Sequence, residues 1–219
     1  MTQFEDITYE VDGAAGLITI NRPQRYNAFR AKTVDELISA FQQAWTDRAV
    51  RAVILTGSGE KAFCTGGDVK QRAETGDYGP SELGRFRISD LHKLMRDIPK
   101  PVIAAVNGIA IGGGHVLQVL ADVSIAADTA RFGQAGPRVG SFDAGFGSAY
   151  LARVVGEKKA REIWMFCRQY SADDALAMGL INKVVPADQL LTEAKSWAAD
   201  AAALSPTAIK FLKQSFNAD

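Results

Sequence analysis

Pro101-Val102-Ile103-Ala104-Ala105-Val106-Asn107-Gly108-Ile109-Ala110-Ile111-Gly112-Gly113-Gly114-His115 is the stretch on which the fold turns. Its opening is a continuous apolar run between Pro99 and the Asn107-Gly108 pair, so 101–106 reads as a strand buried on both faces. The triple glycine that follows opens a helix running to about 120. Upstream, 50–56 is a second continuous apolar run, ended by Gly57-Ser58-Gly59. Before it, 7–11 and 16–20 read as short strands around an Asp12-Gly13 turn. Thr33 is the expected N-cap of a helix to about 47, whose apolar set Val34, Leu37, Ile38, Phe41 and Trp45 has helical spacing. Residues 69–84 are polar and glycine-rich and read as a long mobile loop, followed by a helix over about 86–97. Downstream, 123–126 is a strand and 130–133 a further short one. From about 149 the chain reads as helical throughout, over 149–154, 156–167, 172–178, 187–203 and a last helix from Pro206. Strands alternating with helices, then a helical tail, make this an α/β chain with largely parallel strands, divided into a core over 1–148 and a C-terminal helical region over 149–219.

Composition sets the broad class. The 219 residues carry 25 basic and 25 acidic side chains, for a formal net charge of zero, with 47% apolar residues. That is an ordinary soluble composition, and it gives no electrostatic case for nucleic acid or a membrane surface. No run approaches the roughly 20 apolar residues of a membrane helix, and there is no charged-then-apolar leader. The expected location is cytoplasmic. Cys64 and Cys167 sit in apolar contexts and make no disulfide or metal framework, so both are expected as reduced core residues. His92 is expected at the surface, and His115 packed or hydrogen-bonded within its helix. Two scattered histidines make no metal site.

Two places combine a strand, glycines and a helix start: Phe63-Cys64-Thr65-Gly66-Gly67-Asp68 and the run from Gly108 to His115. A glycine lets a ligand approach the backbone with no Cβ in the way. The first N–H groups of a helix are unpaired and lie at the positive end of its dipole. Two such donors aimed at one oxygen form an oxyanion hole. The same glycines also suit tight turns and close helix packing, and taken alone they do not separate the two readings.

Other residues do. Asn21-Arg22-Pro23 with Asn27-Ala28-Phe29, Ala62 through Asp68, Lys100-Pro101-Val102-Ile103-Ala104, Gly108 through Gly114, Asp122, and Phe132-Gly133-Gln134 together resemble the crotonase (enoyl-CoA hydratase/isomerase) superfamily along nearly the whole chain. The resemblance implies a spiral ββα core, a homotrimer or homohexamer, and an acyl-CoA substrate. It also implies an oxyanion hole at the N–H groups of Gly67 and Gly113. No tightly bound cofactor is implied, coenzyme A arriving as part of the substrate. Around that hole the resemblance places Thr65, Gly66, Asp68, Ile109, Ile111 and Gly112, and it brings Arg25 and Lys70 to the coenzyme A phosphates. Arg25 and Lys70 also read as plain solvated charges.

Hydration of an enoyl-CoA needs two carboxylates to position water and move protons. In the hydratases these follow the triple glycine and the Phe-Gly-Gln-Pro run. Here the two positions are Val116 and Gly136. Instead the stretch Gly140-Ser141-Phe142-Asp143-Ala144-Gly145, together with 156–170, resembles the 1,4-dihydroxy-2-naphthoyl-CoA synthases of menaquinone synthesis, which close a ring by an intramolecular Claisen (Dieckmann-type) condensation. The same residues resemble the ring-opening 2-ketocyclohexanecarboxyl-CoA hydrolases. In the synthases an acid matching Asp143, with Ser141, serves the second developing oxyanion, and a tyrosine at the spacing of Tyr78 is catalytic. Members with glycine at the position of Gly136 use bicarbonate as the base, in a pocket matched by Gln134, Gly136 and Trp164. Ser141 and Trp164 also have plain structural readings, as a turn cap and as helix core. A crotonase fold can also serve as a scaffold or an RNA binder, but the basic stripe or exposed stacking aromatics that would mark the latter are not seen.

Overall fold

The computed structural model describes residues 4–82, 84–142 and 146–218. The chain opens with an antiparallel hairpin of β1 (Ile7–Asp12) and β2 (Ala15–Ile20), in register from Ile7 opposite Ile20. Helix α1 (Ala31–Thr46) follows. Then strands come in pairs: β3 (Ala52–Gly57) with β4 (Ala62–Cys64), β5 (Val102–Val106) with β6 (Ile109–Ile111), and β7 (Val123–Ala127) with β8 (Arg131–Gly133). Helices α2 (Val69–Thr75) and α3 (Ile88–Asp97) separate the first two pairs, and α4 (Gly113–Leu120) separates the second and third. The remainder is α5 (Phe146–Val155), α6 (Glu157–Phe166), β9 (Gln169–Ser171), α7 (Ala172–Ala177), β10 (Lys183–Val185), α8 (Leu190–Ala202) and α9 (Pro206–Phe216).

The first strand of each pair enters one sheet and the second enters another. The larger sheet has the order β1-β2-β3-β5-β7-β10, parallel beyond the opening hairpin. The smaller has the order β4-β6-β8-β9, with only β9 antiparallel. The chain therefore winds as a spiral of strand, strand and helix, as the sequence resemblance implied.

The continuous apolar runs have a simple cause. Alternate residues of the large sheet face opposite cores. Ile18, Ile20, Val53, Leu55, Val102 and Ala104 meet α1 and α4 on one side. Leu17, Ile54, Ile103, Ala105 and Ile125 meet α8 on the other. Helix α9 is fastened by a buried cation: Lys213 Nζ donates to the carbonyls of Met95 and Lys100, at 2.9 and 3.0 Å, and to the Asp122 carboxylate at 2.7 Å. Burial pulls the Lys213 ammonium below its usual range, against the pull of Asp122.

Four expectations are corrected. The stretch 69–84 is not a continuous loop, since α2 occupies its first part. Asp68 caps that helix by accepting from the N–H groups of Lys70 and Gln71, and Gly76 ends it with φ of 82°. The region after 149 is not purely helical: β9 and β10 each extend a sheet, and both are too short to carry a periodic signal. Helix α1 begins at Ala31, two residues before Thr33, whose hydroxyl accepts from Arg30 N–H and donates to the Asp6 carboxylate. Trp45 lies 40% exposed at the edge of the α1 apolar face, while Val34, Leu37 and Phe41 are wholly buried.

The tightest crossing in the fold lies where α4 leaves β6 and passes β4. A Cβ on Gly114 would land inside the Cys64 carbonyl, where both partners are backbone and neither can turn away. Gly114→Ala is therefore expected to cost about 3 kcal/mol, the upper end for overpacking, and to lower Tm by roughly 6–12 °C. A calorimetric Tm within about 2 °C of the parent would show that the crossing is looser than described.

Candidate active site

Both glycine turns face one cleft. The loop from β4 to α2 presents Gly67, and the start of α4 presents Gly113. Neither N–H has a hydrogen-bond partner among the described residues. At Gly113 the reason is its place as the first residue of α4. Gly112, just before it, has φ of 58° and ψ of −129°, a conformation essentially confined to glycine. A Cβ on Gly66 would stand 2.7 Å from Gly113 N, and one on Gly113 would stand 2.6 Å from Phe29 Cζ. The two turns approach this closely only because both are bare backbone.

Gly67 is held by a strand-like bridge to Phe29. Phe29 N–H donates to Gly66 O at 2.8 Å, and Asp68 N–H donates to Phe29 O at 2.9 Å. Behind the bridge lies a buried ion-pair network. Arg22 reaches Asp68 at 3.0 Å and also donates to Ala28 O, and its Nε lies 3.6 Å from Asp6. Arg30 binds Asp6 in turn, at 2.7 Å. Burial pushes the Asp68 carboxyl up, but the Gln71 N–H and the Arg22 guanidinium more than offset it and leave it below the usual carboxylate range.

On the other side, Gln134 Nε2 lies 3.3 Å from Gly112 O and 3.0 Å from His115 Nδ1. An amide N–H donating to Nδ1 leaves the imidazole hydrogen on Nε2, which is buried without a partner among the described residues. Burial pulls the His115 pKa down to about 4, so the ring is neutral. Thus Gln134 and His115 brace the start of α4 as Arg22 and Asp68 brace the Gly67 turn.

The cleft has two compartments that share Gly67, Gly112, Gly113, Arg72, Tyr78, Gly136 and Ser141. The inner one, about 550 Å³, adds Phe86, Ile88, His92, Val116, Gln134 and Trp164. The outer one, about 450 Å³, adds Arg25, Thr65, Gly66, Asp68, Lys70 and Ile111. These volumes suit a small-molecule ligand. Tyr78 stacks on Phe86 with ring centroids 4.5 Å apart, and its ring lies where a Gly67 side chain would be. At Gly136 a Cβ would stand 2.8 Å from Ser141 O, because the chain folds back there and Ser141 N–H donates to Gly136 O at 2.9 Å. Trp164 Nε1 is buried with no acceptor among the described residues.

Most of the residues singled out from sequence thus gather at one cleft. Ile109 does not: it lies in β6, opposite Ala62 and Arg131, apart from both compartments. Asp68 reaches the cleft edge, but its carboxylate is engaged by Arg22 and the α2 cap, which makes it a brace rather than a free ligand. The Thr65 hydroxyl is similarly held by Tyr26 O, at 3.2 Å. Asp143 lies outside the described residues. Both cysteines are buried free thiols, and burial pushes the Cys64 thiol up to about 12. His92 is corrected from surface to buried, at 7% exposure, in the wall of the inner compartment. Arg72 was missed altogether, although it stands four residues after the Asp68 cap and lines both compartments. Among the described residues no cluster of His, Cys, Asp or Glu could hold a metal ion. No helix among them is long and apolar enough to cross a membrane.

The sequence model of the enoyl-CoA hydratase/isomerase family matches residues 10–219. The chain belongs to that family. Among solved structures, an enoyl-CoA hydratase from Bacillus anthracis is 32% identical, with a TM-score of 0.89 over 97% of this chain and 83% of that one. An enoyl-CoA hydratase/carnithine racemase from Magnetospirillum magneticum is 31% identical, with a TM-score of 0.89 over 98% of this chain and 81% of that one. A Geobacillus kaustophilus enoyl-CoA hydratase subunit is 28% identical, with a TM-score of 0.87 over 99% and 82%. The family relation covers the fold and both glycine turns.

Two stability measurements test the braces. Arg22→Met leaves Asp68 buried without its guanidinium. It is expected to lower the unfolding free energy by about 3–5 kcal/mol, the usual cost of removing one partner of a buried pair. A loss under about 1 kcal/mol in denaturant titration would show that the pair does not hold the Gly67 turn. The second concerns His115, whose folded pKa lies below the ordinary 6.5. Between pH 6.5 and 4 the unfolded chain takes up a proton that the native ring refuses. Stability is then present above pH 6.5 and falls by up to about 3 kcal/mol as the pH drops to 4. His115→Gln is expected to flatten that part of the pH–stability curve, and an unchanged slope would contradict the assignment.

Proposed function

We propose that this chain is an acyl-CoA enzyme that holds a thioester enolate between the N–H groups of Gly67 and Gly113 for Dieckmann-type carbon–carbon bond chemistry. The preferred direction is the ring closure of a 1,4-dihydroxy-2-naphthoyl-CoA synthase acting on o-succinylbenzoyl-CoA. The observation that carries the reading is the character of the two positions where a hydratase needs its acids. Val116 is an apolar wall of the inner compartment. Gly136 has no room for a side chain, since its Cβ would meet the Ser141 backbone. The hydratase names of the solved relatives describe those proteins. At these two positions this chain lacks the groups that would position water and move protons across a double bond.

The chemistry follows from the remaining groups. Removal of the proton next to the thioester puts negative charge on the thioester oxygen, and two preorganised N–H donors stabilise it. One such donor is typically worth about 3 kcal/mol at the transition state. The enolate carbon then attacks a carboxyl carbon elsewhere on the same acyl group, held in the inner compartment beside Tyr78 and Ser141. Arg25 and Lys70 line the outer compartment, where coenzyme A phosphates would lie. Two features support bicarbonate as the base: the buried Trp164 indole N–H at the inner compartment has no acceptor among the described residues, and Gly136 contributes no side chain. Bound there, it supplies the base that takes the first proton.

The ring-opening direction, hydrolysis of 2-ketocyclohexanecarboxyl-CoA, uses the same oxyanion hole in reverse and is the second reading. One experiment separates them. Purified protein is offered o-succinylbenzoyl-CoA and 2-ketocyclohexanecarboxyl-CoA in parallel, in degassed buffer with and without added bicarbonate. The expected result is turnover of the first, lost without bicarbonate and restored with it. Turnover of the second alone would reverse the direction. Activity indifferent to bicarbonate would remove it as the base, and turnover of a linear enoyl-CoA only would sink both readings.

A further inference from the structure

The apolar lining of the inner compartment is aromatic rather than aliphatic. Phe29, Tyr78, Phe86, Phe142 and Trp164 line it, and Ile88 and Val116 are the only aliphatic side chains among its described lining residues. Three of the rings form a continuous wall. The Phe86 centroid lies 4.5 Å from that of Tyr78 and 6.0 Å from that of Phe29, at interplanar angles of 29° and 28°. The ends of this wall stand against the two glycine turns: the Phe29 ring fills the space beside Gly113 where a Cβ would go, and the Tyr78 ring fills that beside Gly67. An acyl group whose thioester oxygen lies between Gly67 and Gly113 therefore has the wall beside it. The wall is also fixed before any ligand arrives. Phe29 is buried and tied by its backbone to Gly66 and Asp68, and Tyr78 O accepts from Ala31 N–H at 2.8 Å. Phe86 is half-buried, in the segment just before α3, and packs against the larger core. The buried Asp35 carboxylate on α1 pins that segment on both sides of the ring, accepting from Glu82 N–H at 2.9 Å and pairing with Arg87 at 3.4 Å. A ring held in this way need not be ordered by the ligand.

We propose that Phe86 is a specificity-determining residue, and that the three-ring wall selects a planar aromatic ring in the acyl group over a saturated ring of the same size. The proposal rests on the acyl-CoA reading above and bears on its two directions, since o-succinylbenzoyl-CoA carries a benzene ring and 2-ketocyclohexanecarboxyl-CoA a cyclohexane ring. An aromatic ring has a negative face and a positive edge, so a benzene ring gains an offset or edge-on partner in the wall beyond the area it buries. A cyclohexane ring has no such quadrupole, and its axial hydrogens hold it away from a flat surface. Burial of apolar area alone gives the opposite order, because the saturated ring presents the larger apolar surface. The sign of the preference thus separates an aromatic wall that reads the ligand from one that is merely greasy.

The test uses benzoyl-CoA and cyclohexanecarboxyl-CoA, a pair with the same number of carbons. Their binding to the parent, Phe86→Leu and Phe86→Ile is measured by titration calorimetry. The parent is expected to bind benzoyl-CoA about 2–12-fold more tightly, the usual margin of an aromatic pair, and the variants to lose that margin. A parent without the preference overturns the proposal, and so does a preference that survives undiminished in a folded variant. Should neither variant fold, NMR on the parent decides. Cross-relaxation between the benzoyl ring protons and the Phe86 ring is expected, and its absence overturns the assignment. Exchange of the α-hydrogens of o-succinylbenzoyl-CoA with deuterium oxide is followed in parallel. Ring preference without exchange sinks the enolate chemistry and leaves the wall standing. Exchange without ring preference sinks the wall alone. A parent that binds neither acyl-CoA sinks both.

Discussion

Everything at the cleft depends on one backbone-to-backbone approach. The turn after β4 and the start of α4 come so close that a Cβ on Gly66, Gly113 or Gly114 would strike the opposite chain or the Phe29 ring. Hydrophobic burial alone does not create such an approach, because buried backbone brings donors and acceptors that must be satisfied. The smaller sheet satisfies most of them. Pairing of β4 with β6, and of β6 with β8, uses the strand amides up to the point where the chain must turn. Beyond it the N–H groups of Gly67 and Gly113 remain without partners among the described residues. Two bare main-chain donors facing one cleft are thus what is left of a sheet that stops one turn short.

The braces behind the glycines work by opposite physics. Behind Gly67 stand Arg22, Asp68, Asp6 and Arg30, charges whose desolvation is offset by mutual pairing together with the Thr33 hydroxyl and the first N–H groups of α2. Behind Gly113 stand Gln134 and a neutral His115, a polar pair without net charge. The first brace weakens in acid as its carboxylates take up protons. The second loses ground earlier, once the unfolded chain's imidazole is protonated. Falling pH therefore removes the stabilisation supplied by the two braces in sequence.

Much of this was legible in the sequence, for reasons that particular residues show. The apolar runs before Gly57 and Asn107 announced buried strands because both faces of the large sheet are covered. The glycine turns were visible because no other residue tolerates the conformation of Gly112. What escaped notice was set by length or by distance along the chain. Strands of three residues, such as β9 and β10, carry no period. The short α2 was hidden in a polar stretch, although Asp68 and Gly76 mark its ends. His92 looked like a surface residue because the face it shares with Ile88 is buried only once α5 packs nearby. The pairing of Arg22 with Asp68 spans 46 positions, and nothing local announces it.

The donors of Gly67 and Gly113 belong to the main chain, whereas the acids of a hydratase would hang from side chains at 116 and 136. Side chains at these positions can therefore change while the two main-chain donors stay in place. The two positions are not equally reversible. A carboxylate could return at Val116 by a change in one cavity wall. At Gly136 the fold-back that sets the Ser141 carbonyl against the α-carbon would first have to open. That asymmetry works as a ratchet: with the loop closed over a glycine, an acid at 136 needs a backbone rearrangement before it could be of any use.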